Sequence, residues 1–307
     1  MNYLGELIAL GVAISWTVTA LFAEVASKRQ GSLMLNVFRM ALSLLFLAVT
    51  LWETIGVPYP RYADLETWMW LGLSGFIGYV LGDYCLFQSY VVMNSRFGQL
   101  FMTLASPSAA LAAWIFLGES MRPMAILGMI LTIVGIAMSV LKKGDRLVFP
   151  LKGILFAIGG AVGTGVGLVI SKIGMLHYEE SVMAIGGDMH GMIPFASTMI
   201  RATIGMVGFS FTFFILKHRG WNQIRSAIAD RRGMICTIGA ATFGPFVGVS
   251  LALMSTLYTS AGIAQTIMAT TPVLIILPSW LLFHQKVTAR EVLGATISVI
   301  GVALFFL

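Results

Sequence analysis

Long apolar runs separated by short polar linkers dominate the pattern of this chain. A helix needs about 20 mostly apolar residues to cross the hydrocarbon core of a bilayer. Ten runs reach that length, so the pattern predicts an all-α integral membrane protein with ten transmembrane helices, the first of them retained rather than cleaved. The predicted helices are 4–26, 33–55, 67–93, 97–117, 123–141, 151–176, 193–216, 233–257, 261–283 and 289–307.

The linkers between the predicted helices are short, and the longest has about 16 residues. They leave no room for a soluble catalytic or regulatory domain, so any function has to be made by the helices. Within 218–232, Trp221, Ile224 and Ile228 recur at helical spacing among basic residues. This pattern is typical of a short helix lying at the membrane interface, and a solvated linker is an equally good interpretation.

The two halves of the sequence match each other at a shift of 166 residues without a gap. A slightly different shift brings Arg39 onto Arg201. We interpret residues 1–144 and 145–307 as two copies of one five-helix unit. Because five is odd, the second copy enters the membrane from the opposite side, which predicts inverted repeats with a substrate site between them near the midplane. The pairs matched at 166 are Gly78 and Gly244, Gly82 and Gly248, Gln99 and Gln265, Trp114 and Trp280, Gly128 and Gly294, and Gly135 and Gly301.

Lysine and arginine are distributed unevenly between the two sets of linkers. The linkers after even-numbered helices contain Arg61 and Arg122, with Lys172 close by. Since cytoplasmic linkers carry the excess of Lys and Arg, we expect the odd-numbered linkers in the cytoplasm and both termini outside. The basic residues in or beside the odd-numbered linkers are Lys28, Arg29, Arg96, Lys142, Lys143, Arg146, Lys152, Lys217, Arg219, Arg225, Arg231, Arg232, Lys286 and Arg290.

The composition fits a chain that has lipid as its main solvent. Hydrophobic residues make up 58% of the sequence and charged residues 10%, whereas soluble domains contain about 25% charged residues. The net charge of +6 is spread over the linkers, so we expect no nucleic-acid partner. Cys85 and Cys236 lie in apolar runs, and no HExxH, CxxC or nucleophile–base pair occurs. We therefore expect no metal, no cofactor and no enzyme activity.

Residues 98–141 resemble the end of an EamA-type repeat of the drug/metabolite transporter superfamily. The resemblance is carried by an apolar helix containing Pro107, then Leu-Gly-Glu, then a helix with glycines seven residues apart. Residues 265–307 resemble the same unit, although His284 and Gln285 stand where the Gly-Glu pair would be.

Two further features support the resemblance, which covers nearly the whole chain. Arg39 and Arg201 fall where the family often carries an arginine in the second helix of each repeat, and 82–90 (GDYCLFQSY) resembles a family variant. The resemblance implies a ten-helix permease with a central cavity lined mainly by helices 1, 3, 4, 6, 8 and 9. Such permeases often export amino acids, metabolites or toxic organics, and no particular solute is implied.

Asp83 is the sharpest candidate for a functional residue. It lies about sixteen residues into the third predicted helix, roughly 24 Å along it, where a short carboxylate cannot easily reach water. Tyr79, Tyr84 and Phe87 surround it in sequence. A carboxylate in such surroundings can exchange a proton or bind a cationic group, so Asp83 is both a substrate-binding and a coupling candidate. Neutralisation by an arginine is the structural alternative.

Five other residues complete the substrate-binding candidates. Arg39 and Arg201 enter only a few residues into their helices, so long stems reaching the headgroups are the favoured interpretation, with a carboxylate clamp as the alternative. Gln99 and Gln265 are repeat-equivalent amides that could be paired ligands across the cavity or bonds between helices. Trp16 lies mid-helix, away from the usual aromatic belt, and is a candidate for the cavity wall.

Charges at helix ends are expected to be gates or interface groups rather than ligands. Glu24 and Lys172 end equivalent helices that cross in opposite directions, so we expect them near opposite faces. His177, Glu179 and Glu180 are expected in a solvated linker.

These features together predict a multi-pass transporter of the inner membrane. The first hypothesis is an exporter of a small organic solute (an amino acid, metabolite or toxic organic) that works by alternating access, with protons as a candidate coupling ion. Uptake or exchange is the alternative within transport. A membrane enzyme acting on lipid-linked substrates, or a scaffold subunit, fits less well because the charges are scattered and Asp83 is deep. Solute identity and oligomeric state cannot be read from the sequence.

Overall fold

The computed structural model describes residues 3–118, 123–141, 149–216, 220–259, 264, 267–285 and 287–304. The described residues form helices joined by short connections. The first half of the chain contains α1 (Leu4–Gln30), α2 (Ser32–Ile55), α3 (Leu65–Met93), α4 (Ser95–Phe116) and α5 (Pro123–Val140). The second half contains α6 (Leu151–Ala184), α7 (Ile193–Leu216), α8 (Gly220–Ala229), α9 (Arg231–Ser255), α10 (Thr271–Phe283) and α11 (Ala289–Leu304).

Eight of the helices in the described part of the chain are long and apolar enough to cross a membrane: α1 to α7 and α9. Their bounds follow the first eight predicted runs to within a few residues, except at the end of the sixth. The ninth and tenth predicted runs correspond to α10 and α11, which are shorter in the described residues. The run predicted to begin at 261 includes 261–263 and 265–266, which lie outside the described residues.

The sixth helix is longer than its apolar run predicts. It continues to Ala184, so His177, Glu179 and Glu180 lie on helix rather than in a linker. No glycine or proline interrupts the chain between Gly174 and the break at Gly186, so the backbone can stay helical after the apolar residues end. The prediction of a linker at these three residues was wrong for this reason.

A short amphipathic helix, α8, lies where the spacing of 218–232 predicted one. Trp221 and Ile228 are exposed on it. Its placement at the membrane interface stays a prediction.

Two of the long helices contain a π-helical segment in the middle. In α3 it covers Phe76–Asp83, and in α9 it covers Thr242–Val249. The second range is the first shifted by 166 residues, so the repeat found in the sequence coincides with a repeat of an uncommon backbone conformation. Such segments frequently occur at functional sites, and here the first one ends at Asp83.

The two halves pack on each other through glycines. α3 and α6 approach so closely that a Cβ placed on Gly163 would lie 2.8 Å from the Cα of Gly82. A Cβ on Gly167 would lie 3.0 Å from the Cα of Gly78. Larger residues would therefore push these two backbones apart.

The contact between α5 and α11 is reciprocal. A Cβ on Gly135 would lie 2.5 Å from the carbonyl oxygen of Gly294, and a Cβ on Gly301 would lie 2.7 Å from that of Gly128. Residue numbers rise along one helix while the contacted numbers fall along the other, so α5 and α11 run antiparallel. The repeat register maps Gly128 onto Gly294 and Gly135 onto Gly301, so each contact is the image of the other.

Candidate functional site

A cavity of about 1100 Å³ lies between the two halves. Residues of α1 to α7, α9 and α10 line it. The helices expected from the family resemblance all contribute, because predicted helices 8 and 9 correspond to α9 and α10. In addition, α2 and α7 contribute Arg39 and Arg201. The volume is in the range of sites that enclose small organic molecules.

The cavity reaches one end of the molecule, which we call the open end: the linker 185–192 between α6 and α7, together with Thr259. Gly187, Asp188 and Gly191 of this linker line the cavity, and Asp188 is exposed to solvent. Lys172 and Glu179 of α6 line the wall below it. A solute can therefore enter or leave the cavity at this end.

The opposite end, which we call the closed end, consists of the described residues 24–30, 94–96, 227–237, 285 and 287–291. Glu24 is its centre and is only 2% exposed. One carboxylate oxygen of Glu24 accepts hydrogen bonds from the backbone N–H of Ser95 at 2.7 Å and from its hydroxyl at 2.5 Å. The other oxygen accepts one from Lys28 at 2.6 Å and one from Gln285, of the second half, at 3.4 Å.

Ion pairs at the closed end also join the first half to the second. The guanidinium of Arg96, on α4, lies 3.1 Å from the carboxylate of Glu291 on α11. Arg29, on α1, donates two hydrogen bonds to Asp230, just before α9. The Arg29 side chain holds the pKa of Asp230 below its usual range by donating these hydrogen bonds. The pairs seal the cavity from this end.

Asp83 lies in the cavity wall and forms a salt bridge with Arg39 of α2. Arg39 is 3% exposed, and its guanidinium also lies over the ring of Phe87, 4.5 Å from the ring centre. The favoured interpretation of Arg39, a stem reaching the headgroups, is therefore wrong. The reason is the buried carboxylate of Asp83, which holds the guanidinium inside the wall close to Gly244 of α9, where a Cβ would lie 3.4 Å from Nη1.

Arg201 also lies in the cavity wall and is likewise buried, at 6% exposure. Its guanidinium lies over the ring of Tyr79, 5.0 Å from the ring centre. A Cβ on Gly78 would lie 3.2 Å from Nη2 of Arg201, so this arginine also occupies the space above a glycine. The headgroup interpretation is wrong here too.

The remaining candidates divide into three groups. Trp16 and Phe87 line the cavity. Gln99 also lines it and donates a hydrogen bond to the hydroxyl of Tyr90 at 2.7 Å. This bond joins α4 to α3, as the second interpretation of Gln99, a bond between helices, expects. Tyr84 is outside the lining, because one residue past Asp83 the helix has turned by about 100°, and its ring packs edge-on against Phe156.

Gln265 lies outside the described residues. Its pairing with Gln99 across the cavity stays a prediction.

The sequence did not indicate that Ser95, Arg96 and Glu291 meet Glu24 at one end. Glu24 and Lys172 do lie toward opposite ends, as expected, with Lys172 on the cavity wall near the open end. The position of Arg96 in the sequence was an available signal, because it stands directly between two apolar runs. It is buried in the structure, and a buried arginine needs a partner.

The model of the EamA-like transporter family matches residues 3–141 and again residues 151–307. No curated protein matches. Among solved structures 27 chains match, and one crystal structure, described only as that of a protein, has a TM-score of 0.62 at 14% identity, covering 99% of this chain and 96% of that chain. That likeness concerns the fold alone. With one family match in each half, the chain belongs to the EamA-like transporter family and is a multi-pass membrane transporter of the drug/metabolite superfamily.

Proposed function

We propose that this protein is a secondary transporter that exports a small organic solute through alternating exposure of its central cavity. The observation that carries the proposal is the cavity of about 1100 Å³, which reaches the open end while ion pairs between the two halves seal the closed end. A site exposed to one side and sealed from the other is one of the two states that alternating access requires. Breaking the seal and closing the open end would give the second state.

An inverted relation between the halves would make the two states equivalent, and the following features support it. The π-helical segments of α3 and α9 match in the repeat register, and α5 runs antiparallel to its equivalent α11. Asp64 and Asp230 also match in that register, and each binds the end of a long helix of the other half. Asp230 binds Arg29 at the closed end, whereas Asp64 binds His177, at 3.0 Å, toward the open end.

Orientation follows from charge. The closed end carries Lys28, Arg29, Arg96, Arg231 and Arg232. We therefore propose that the protein lies in the inner membrane with its closed end on the cytoplasmic side. The cavity then faces outward, and both termini lie outside.

A topology measurement tests this orientation. We expect a reporter that is active only in the periplasm to give a signal when it is fused after Leu307, and a reporter that is active only in the cytoplasm to stay silent there. The same two reporters inserted after Lys143 should give the reverse result. A cytoplasmic signal after Leu307 would contradict either the orientation or the ten-helix count.

Transport itself is tested with purified protein in liposomes. A panel of amino acids, other carboxylates, amines and neutral aromatics is loaded on one side, and exchange is followed against protein-free liposomes. Movement of at least one class, and a pH gradient altering its direction if protons are coupled, would support the proposal. Uptake or exchange is the alternative direction. Absence of movement for every class, with chemical change of a lipid-linked compound instead, would replace transport by an enzyme function.

A further inference from the structure

We infer that the cavity binds its solute through a carboxylate, which takes a place between the guanidinium of Arg201 and the hydroxyl of Tyr79. The inference deepens the proposed transport function and rests on it. It assigns the solute to organic anions rather than to cations or neutral compounds.

Arg201 is a buried charge without a bonded counter-ion. Among the residues that the structure describes, its guanidinium forms no hydrogen bond and no salt bridge, although it lines the cavity. The ring of Tyr79 offers it a cation–π contact, which does not use the N–H donors of the guanidinium. A buried charge is normally paired, and no described residue pairs with Arg201, so we expect the solute to supply the partner.

Tyr79 supplies a second donor at the same place. Its side chain lines the cavity and is nearly completely buried, and its hydroxyl has no hydrogen-bond partner among the described residues. A carboxylate has two oxygens that accept from two donors, and the guanidinium fork matches carboxylate geometry better than any other side chain. Because the guanidinium of Arg201 lies 5.0 Å from the centre of the Tyr79 ring, we assign both donors to one carboxylate.

The repeat explains why Arg201, unlike Arg39, has no carboxylate bonded to it among the described residues. Arg39 lies above Gly244 of the second half, and its repeat mate Arg201 lies above Gly78 of the first half, where Gly78 and Gly244 are themselves mates. The two arginines are thus placed alike. Arg39 has Asp83 as its counter-ion, whereas the mate of Asp83 is Val249, which also lines the cavity.

The local charge agrees with an anionic solute. At the centre of the cavity two guanidinium groups face one carboxylate, that of Asp83, which is bonded to Arg39 and also lies within electrostatic range of Arg201. One positive charge is left over, which one carboxylate would balance. Nearer the open end, Lys172 is accompanied by Glu179 and Asp188, so that region adds no positive excess.

The test measures binding to purified full-length protein with matched probes. Phenylacetate, indole-3-acetate and their uncharged amides differ only at the carboxylate, and binding is followed by the shift in unfolding temperature and by titration. We expect each carboxylate to bind more tightly than its amide. Arg201→Gln should weaken carboxylate binding roughly ten- to a hundredfold, the contribution of hydrogen bonds to a charged group, while amide binding should change little.

Val249→Asp is the second variant, and it gives Arg201 the counter-ion that Arg39 already has. We expect this protein to fold, because it adds a partner to a buried charge, and to lose its preference for carboxylates over amides. Equal binding of acids and amides by the unchanged protein would overturn the inference. Undiminished carboxylate preference in Val249→Asp would overturn it as well.

Transport data separate this inference from the function beneath it. If the liposome assay finds movement of amines or neutral aromatics but not of carboxylates, the anionic class is wrong and the transporter stands. If the assay finds no movement of any solute, the transport proposal itself fails. Movement of carboxylates that is lost in Val249→Asp would support both.

Discussion

An Asp83→Asn variant is expected to unfold about 3–5 kcal/mol more easily than the unchanged protein, because removing one partner of a buried ion pair leaves the other charge uncompensated. Arg39 is the partner and is almost completely buried. The ring of Phe87 would remain beside the guanidinium, but a cation–π contact replaces only part of what the carboxylate contributes. The free energy of unfolding in detergent, measured by titration with a denaturing detergent, gives the value directly, and expression level should fall with it.

A double variant separates the charge effect from packing. Arg39→Met with Asp83→Leu removes both charges and keeps apolar volume in the wall, so we expect most of the lost stability to return. If Asp83→Asn proved as stable as the unchanged protein but lost its pH-dependent transport, Asp83 would be a proton-exchange group rather than a structural partner. Unaltered stability and unaltered transport together would remove Asp83 from the site.

Glu24→Gln is expected to give the second large effect, on the balance between the two states rather than on folding. The carboxylate of Glu24 holds Ser95 and Lys28, and so fixes the corner between α3 and α4 that carries Arg96 toward Glu291. Replacing charged by neutral acceptors in these bonds should weaken the closed end by about 2–3 kcal/mol, which is roughly a 30- to 150-fold change in the ratio of the two states. The protein should then spend more time in the state whose cavity is exposed to the cytoplasm.

Asp230→Asn is the matched control for Glu24→Gln. It also breaks an ion pair between the halves at the closed end, but the Arg29 side chain is 45% exposed, and exposed pairs contribute little. We expect a much smaller shift of the balance from this variant. If Asp230→Asn opened the closed end as far as Glu24→Gln does, the assignment of Glu24 as the centre of the seal would fail.

The sequence predicted those features that depend on local pattern. Apolar length predicted the helices, and the register of 166 residues identified only equivalent positions such as Gly135 and Gly301, whose contacts with Gly294 and Gly128 come from the structure. The depth of Asp83 marked it as a residue needing a partner. In each case a single helix or a single buried group determined the outcome.

Side-chain partners between distant segments could not be predicted in the same way. Arg39 stands near the start of α2, which favoured the headgroups, and only the packing of α2 against α3 brings it to Asp83. The seal around Glu24 joins segments far apart in the chain. The two π-helical segments likewise leave no simple trace in composition, because the change in hydrogen bonding depends on how α3 and α9 pack.

Two-sided labelling of a cavity cysteine tests alternating access most directly. Thr164 lines the cavity on α6, so Thr164→Cys, in a chain with Cys85→Ser and Cys236→Ala, reports which side reaches the centre. A membrane-impermeant maleimide is applied to vesicles of either orientation. We predict fast labelling from the outer side and slow labelling from the cytoplasmic side, with Glu24→Gln speeding the cytoplasmic reaction and slowing the outer one. Equally fast labelling from both sides at once, or no cytoplasmic labelling even with Glu24→Gln, would contradict the account.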